Sequence, residues 1–176
     1  NAREEILQHA RLMMEAALAS RNYTNTQIKP LLDTQLKYTF LPQTVPAYAA
    51  TEQFNDIRKT HKDYAYKEAT LNPTNPRDRA NDWETDVVQI FRQAPETPEV
   101  IGERDTPTGR SLYLARPIQI KNGACLVCHS TFDAAPKGML DLSGNANGFG
   151  WRLSEIFGAQ LVSVAMSVPV ARANAT

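Results

Sequence analysis

The chain has 176 residues, of which 42% are apolar and 22% charged, with 19 basic residues balancing 19 acidic ones. That is the make-up of one ordinary globular domain with a core of its own. No lysine- and arginine-rich run marks a nucleic-acid surface, and no apolar run reaches the ~18 residues of a spanning helix. The best candidate, Ala159 to Ala173, is interrupted by Gln160, Ser163, Ser167, Pro169 and Arg172. No signal peptide is visible, and Asn1-Ala2-Arg3-Glu4-Glu5 is already helix-like, which reads as a fragment cut from a longer protein whose targeting or membrane segments have been removed.

Residues 3–20 read as an amphipathic helix, with Ile6, Ala10, Met13 and Ala17 on one stripe and Leu7, Met14 and Leu18 widening it. Such a stripe serves either as core or as the seam of a homodimer. Residues 21–44 look irregular, with prolines at 30 and 42. A second helix is expected from Pro46 to about His61, with Ala47, Ala50, Phe54 and Ile57 on one face. Tyr64 to Leu71 reads as a strand, stopped by Asn72-Pro73-Thr74-Asn75-Pro76 because proline lacks a donor and restricts the residue before it. A third helix, about 77–93, should turn Trp83, Val87, Ile90 and Phe91 inward. Strands at 98–104 and 111–120 flank Thr106-Pro107-Thr108-Gly109, a turn, and so form a hairpin. Residues 130–150 are rich in Gly, Asn, Ala and Pro and read as a loop. Leu153 to Phe157 reads as a short helical turn and Ala159 to Val168 as a last strand. This order predicts an α+β fold with a mostly antiparallel sheet, and two parts: residues 1–20 as an N-terminal helix and 21–176 as the main domain.

Both cysteines of the chain fall in Cys125-Leu126-Val127-Cys128-His129. C-x-x-C-H is the signature of c-type haem attachment. Two thiols add to the vinyl groups of one porphyrin edge, two intervening residues let both reach it, and the next residue sits where an imidazole can bind the iron. A redox dithiol would need a strand–motif–helix setting, which the following loop does not offer. Half a zinc site would need two more nitrogen or sulfur ligands, and His9 and His61 lie far away in sequence. Covalent haem c on Cys125 and Cys128, with His129 as an axial ligand, outweighs both, and thioether attachment implies a periplasmic location.

The sixth iron position stays open. Met139, on the glycine-rich loop, leads; Met13, Met14, Met166, His61 and water are the other choices, although methionine more often serves as core. Arg116, at the end of the strand before the motif, ranks first as a partner for a haem propionate, ahead of Lys121, Arg77 and Arg79.

Several stretches resemble a family of c-type-haem sensor domains of bacterial transmembrane receptors. They are Val45-Pro46-Ala47-Tyr48-Ala49-Ala50, Tyr64 to Pro76 running on through Asp82-Trp83-Glu84, Leu112-Tyr113-Leu114-Ala115-Arg116-Pro117, Asn147-Gly148-Phe149-Gly150-Trp151 and Gly158-Ala159-Gln160. That family is similar to a cyanobacterial haem protein of PAS-like fold and to periplasmic haem domains of some chemotaxis receptors. The resemblance implies a PAS-like antiparallel sheet with flanking helices. It also implies a place between two membrane helices ahead of a cyclase, kinase or chemotaxis module. A soluble relative uses a cysteine as second axial ligand before the Asn-Pro motif. Here that region reads Thr44-Val45-Pro46-Ala47-Tyr48, so the ligand does not carry over. The function expected is an extracytoplasmic, non-enzymatic haem sensor of redox state or a diatomic gas, with an electron-transfer cytochrome as the alternative.

Overall fold

The computed structural model describes residues 1–121, 129–131, 133, 135, 139–140 and 148–167. The first helix, α1 (Ala2–Tyr23), opens on a capping box: the Asn1 side chain accepts from the Glu4 N–H and the Glu4 side chain answers to the Asn1 backbone. At its far end the ladder loosens into a π-turn at Thr24–Ile28, a 3-10 turn at Lys29–Leu32 and one short α-turn, α2 (Asp33–Leu36). Pro30 lies in this stretch and has no N–H to continue the ladder. A 3-10 turn at Pro42–Thr44 leads into α3 (Pro46–Arg58), whose first residue is a proline as expected. Then come β1 (Tyr64–Thr70), a 3-10 turn at Pro76–Asp78, α4 (Asp82–Gln93), β2 (Val100–Thr106), β3 (Gly109–Gln119) and β4 (Ile156–Ala165).

Among the described residues, the four strands form one sheet in the order β1-β4-β3-β2, antiparallel throughout. The expected hairpin is present, with Thr106 opposite Gly109, which turns the chain at φ +123°. The last strand, β4, is therefore central: Tyr64 faces Val164 on one side of it and Leu112 faces Val164 on the other.

Alternation along the strands divides the interior in two. Leu112 and Leu114 of β3, Val162 and Val164 of β4 and Tyr66 of β1 meet Ile6, Ala10, Met14 and Ala17 of α1 and Ala50 and Phe54 of α3. Ala115, Ala159, Leu161, Ala69 and Ile156 face the other way, onto Val87, Val88 and Phe91 of α4. The sheet is thus covered on both faces, an α+β architecture with a long first helix. The stripe that serves as core or seam is core: Ala10, Met14 and Ala17 are fully buried on the chain's own sheet. The buried phase runs through Met14 rather than Met13, which packs at the rim.

Two expectations are corrected. Leu153–Phe157 is not a helical turn; the chain turns at Leu153 and Ser154, the latter at φ +66°, and β4 already begins at Ile156. The third helix starts five residues late, because Asn81 supplies a capping box with Glu84 while Pro76–Asp78 forms a separate 3-10 turn. Among the described residues no helix is long and apolar enough to cross a membrane.

Candidate functional site

β1 ends at Thr70, opposite Gly158 near the start of β4, and the Leu71 N–H reaches the Phe157 carbonyl at 3.1 Å. The prolines that stop the strand hold the next residues off the sheet, where Asn72 and Thr74 meet the segment around Gly148. Asn72 grips that backbone from both sides of its amide. Its Oδ1 accepts from the Gly148 N–H at 3.1 Å and its Nδ2 donates to the Phe149 carbonyl at 3.0 Å. Gly148 has φ +87°, and a Cβ there would overlap Thr74 Oγ1 and come within 3.0 Å of the Thr74 Cα. The position demands glycine twice over, for its backbone angle and for the close approach.

The Gly148 carbonyl lies 2.7 Å from His129 Nδ1. A carbonyl only accepts, so Nδ1 carries the proton and, in the neutral ring, Nε2 carries the lone pair. Thr74 Oγ1 stands farther off, 3.5 Å from the same nitrogen. Nε2 has no hydrogen-bond partner among the described residues. Burial pushes the His129 pKa below its ordinary value, against the opposing pull of the Gly148 carbonyl, so the neutral ring with a free Nε2 is favoured.

One face of the imidazole is covered by Trp151, with ring centres 3.9 Å apart and planes 15° from parallel. Trp151 is backed in turn by Phe157 at 4.2 Å and 20°. Backbone bonds fix the stack: the Trp151 N–H donates to the His129 carbonyl at 3.0 Å and the Gly150 N–H to the Ser130 carbonyl at 2.8 Å. The indole Nε1 is buried without an acceptor among the described residues.

The other residues expected at the site are spread through the fold. Cys125 and Cys128 lie outside the described residues. Arg116 sits on β3 with Nη1 2.7 Å from Glu15 of α1 and Nε 3.3 Å from Glu99, so a propionate there would compete with two carboxylates. Met139 is 3% exposed. Met14 is core, and Met13 and Met166 pack against the same cluster. His9 and His61 both lie beside Tyr64. In the sequence, Asn72, Thr74, Gly148 and Trp151 stand out only as turn, loop or family resemblance; two of the resembling stretches, Tyr64 to Pro76 and Asn147 to Trp151, meet at His129. Among the described residues no group of three or more His, Cys, Asp or Glu could hold a metal ion.

A second polar cluster lies under α1. Glu68, nearly buried, takes the Arg21 guanidinium on one oxygen and the Tyr66 hydroxyl on the other at 2.8 Å, and Gln160 Nε2 donates to Tyr66 at 3.0 Å. Burial raises the Tyr66 pKa far above its usual range, and the Glu68 carboxylate adds to the effect, so the phenol is a fixed donor.

A family model matches residues 1–165, nearly the whole chain. The chain belongs to the Tll0287-like family. Its fold also matches the crystal structure of the cyanobacterial heme-protein Tll0287, with a TM-score of 0.68 at 14% sequence identity, over 92% of this chain and 95% of that one. At that identity the likeness is one of fold, and it bears out the α+β sheet with a long first helix. No curated protein matches the chain. Membership of the Tll0287-like family thus relates the chain to a haem protein and agrees with the resemblance read from its motifs.

Proposed function

We propose that this domain carries a covalently attached haem c, with thioethers to Cys125 and Cys128 and His129 Nε2 as an axial ligand. We propose further that it is the extracytoplasmic sensor part of a membrane-bound receptor, has no catalytic role of its own, and responds to redox state or a diatomic gas. One observation carries the haem reading: the histidine of the C-x-x-C-H motif has its Nδ1–H tied to a backbone carbonyl and its Nε2 left without a partner among the described residues. That is how a metal-binding imidazole is prepared, because the bond at Nδ1 fixes the tautomer and raises the basicity of the other nitrogen.

The residues fit the group. A porphyrin brings its own equatorial nitrogens, so one imidazole is the ligand the protein must supply on that side. The unpartnered indole N–H beside it is a second polar atom that the described residues leave unused. Bound there, a haem supplies an iron that changes oxidation state and accepts small ligands. Gly148 holds the proton on Nδ1, Asn72 holds Gly148, and Trp151 shields one face of the ring from water. Met139 is the first candidate for the opposite side of the iron, and its burial is compatible with either a ligand or a core role.

Acid–acetone extraction tests attachment: the pigment should stay with the protein and be lost in the Cys125→Ser, Cys128→Ser double variant. His129→Ala should keep the pigment but lose the normal Soret and Q-band pattern. Mixing ferrous protein with carbon monoxide separates sensor from carrier. Rapid binding supports the sensor; a low-spin iron that binds none over minutes supports electron transfer. Freely extractable pigment in the wild type ends the haem c reading.

A further inference from the structure

We infer that Trp151 is a positioning residue for His129: the face of the indole sets the plane of the imidazole about its bond to the chain. The inference deepens the haem reading above and rests on it. Rotation about the Cβ–Cγ bond of a histidine is a broad, soft torsion. A single hydrogen bond at Nδ1 locates one atom of the ring but leaves the ring able to tilt about the N···O line. A second constraint, on a face, removes that freedom. Trp151 supplies it at 3.9 Å and 15°. The indole cannot retreat, because Phe157 stands 4.2 Å behind it and the backbone N–H of Trp151 is bonded to the His129 carbonyl. The three rings form one column, anchored where β4 begins.

The use made of the indole is its face. Its polar atom has no acceptor among the described residues, and an unmade bond of that kind costs about 1–3 kcal/mol, which a phenylalanine would avoid. Nor is the ring ordinary core filling, since Trp151 is only partly buried and belongs to neither of the two cores as a buried member. Parallel aromatic contact, worth about 0.5–1.5 kcal/mol beyond the area it covers, is what remains.

The plane of an axial imidazole decides which iron d orbital it overlaps, and the paramagnetic shifts of the haem methyl protons report that plane directly. The experiment uses ferric holoprotein saturated with cyanide, which is axially symmetric and leaves the histidine plane as the asymmetry. Wild type, Trp151→Phe and Trp151→Leu are compared by proton NMR after covalent haem content has been confirmed in each. Trp151→Phe keeps a flat face and should retain the order of the four methyl resonances. Trp151→Leu should reorder them or collapse their spread by a third or more. Should Trp151→Leu fail to fold, Phe157→Leu takes its place, removing the backing ring while leaving the indole, and should give a narrowed spread. If Phe and Leu disturb the pattern equally, the N–H and not the face is in use, and the inference is wrong. If neither variant changes it, the ring is filler and the inference is again wrong. Absence of covalent haem in the wild type is a separate result, read before the spectra, and removes the haem reading together with this one.

Discussion

Replacing Gly148 by alanine strikes the site through its backbone. Gly148 holds φ +87°, where a side chain costs about 1–2 kcal/mol from left-handed crowding alone. The new Cβ would also overlap Thr74 Oγ1 and lie within 3.0 Å of the Thr74 Cα, so the two segments must separate. Forcing a methyl into so tight a space costs about 1–3 kcal/mol. Together these give roughly 2–5 kcal/mol, and at about 2–4 °C per kcal/mol for a chain of this size the melting temperature should fall by roughly 4–20 °C. Circular dichroism melts measure it. Thr74→Ala in the same chain removes the overlapping oxygen but relieves neither the crowding against the Thr74 backbone nor the strained φ. The double variant should therefore be less destabilised than the sum of the singles by about 1 kcal/mol, a coupling expected of touching residues. The histidine should feel the change as well, since the carbonyl it bonds to belongs to the moved residue. An alanine variant that melts within a degree or two of wild type, or a double variant that is simply additive, would refute the account of why glycine stands there.

Burial, reinforced by the Glu68 carboxylate and opposed by Arg77 and Lys67, lifts the Asp78 pKa from 3.8 to about 6. Because the folded value is the higher one, folding takes up a proton, and the stability associated with Asp78 is greatest below about pH 4 and lost as pH rises through 6. Asp78→Asn should therefore melt above wild type at pH 7 and level with it near pH 4; equal melting curves across that range would rule this out. Arg21→Ala leaves the Glu68 carboxylate, 3% exposed, without its guanidinium and should cost about 3–5 kcal/mol in urea unfolding, with Glu68→Gln in the same chain recovering part of it. Deleting residues 1–18 removes Ile6, Ala10, Met14 and Ala17 from the core and should abolish the dispersed NMR spectrum; a folded monomer would show that α1 is dispensable.

Periodicity and stop signals sufficed to place α1, α3, β1 and the β2–β3 hairpin, although Ile57 of α3 is 45% exposed and β1 and β3 bury residues on both faces of the sheet. They failed at Leu153–Phe157, where a short apolar run fits a helical turn or a strand equally and pairing with β1 and β3 decides. Within α1 one position of the stripe differs: Met13 and Met14 both fit it, and the sheet beneath selects Met14, while Ile6, Ala10 and Ala17 are buried as expected. At the site, His129 was legible from its motif, a local pattern with a chemical reason. Asn72, Thr74, Gly148 and Trp151 were not legible as its partners: Thr74 lies 55 positions before His129 and Gly148 lies 19 after it, and only the fold brings these segments together. Arg116 likewise has a partner that its place just before the motif does not announce: Glu15, distant in sequence, meets one side of its guanidinium.

The central place of β4 has a bearing on how the chain matures. Both cores draw on it, through Val162 and Val164 on one side and Ala159 and Leu161 on the other, and among the described residues β1 has no other strand to pair with. Until that strand is made, the sheet amounts to the β2–β3 hairpin, and a lone hairpin is marginal in water. Cys125, Cys128 and His129 precede β4 in the chain, so they emerge while neither core can close. Trp151 and Phe157, which complete the aromatic column, come afterwards. A thiol chemistry that acts on an open chain would find its target presented before the fold shuts around it. The slow, long-range closure of β1 onto β4 would then set the time available for that chemistry.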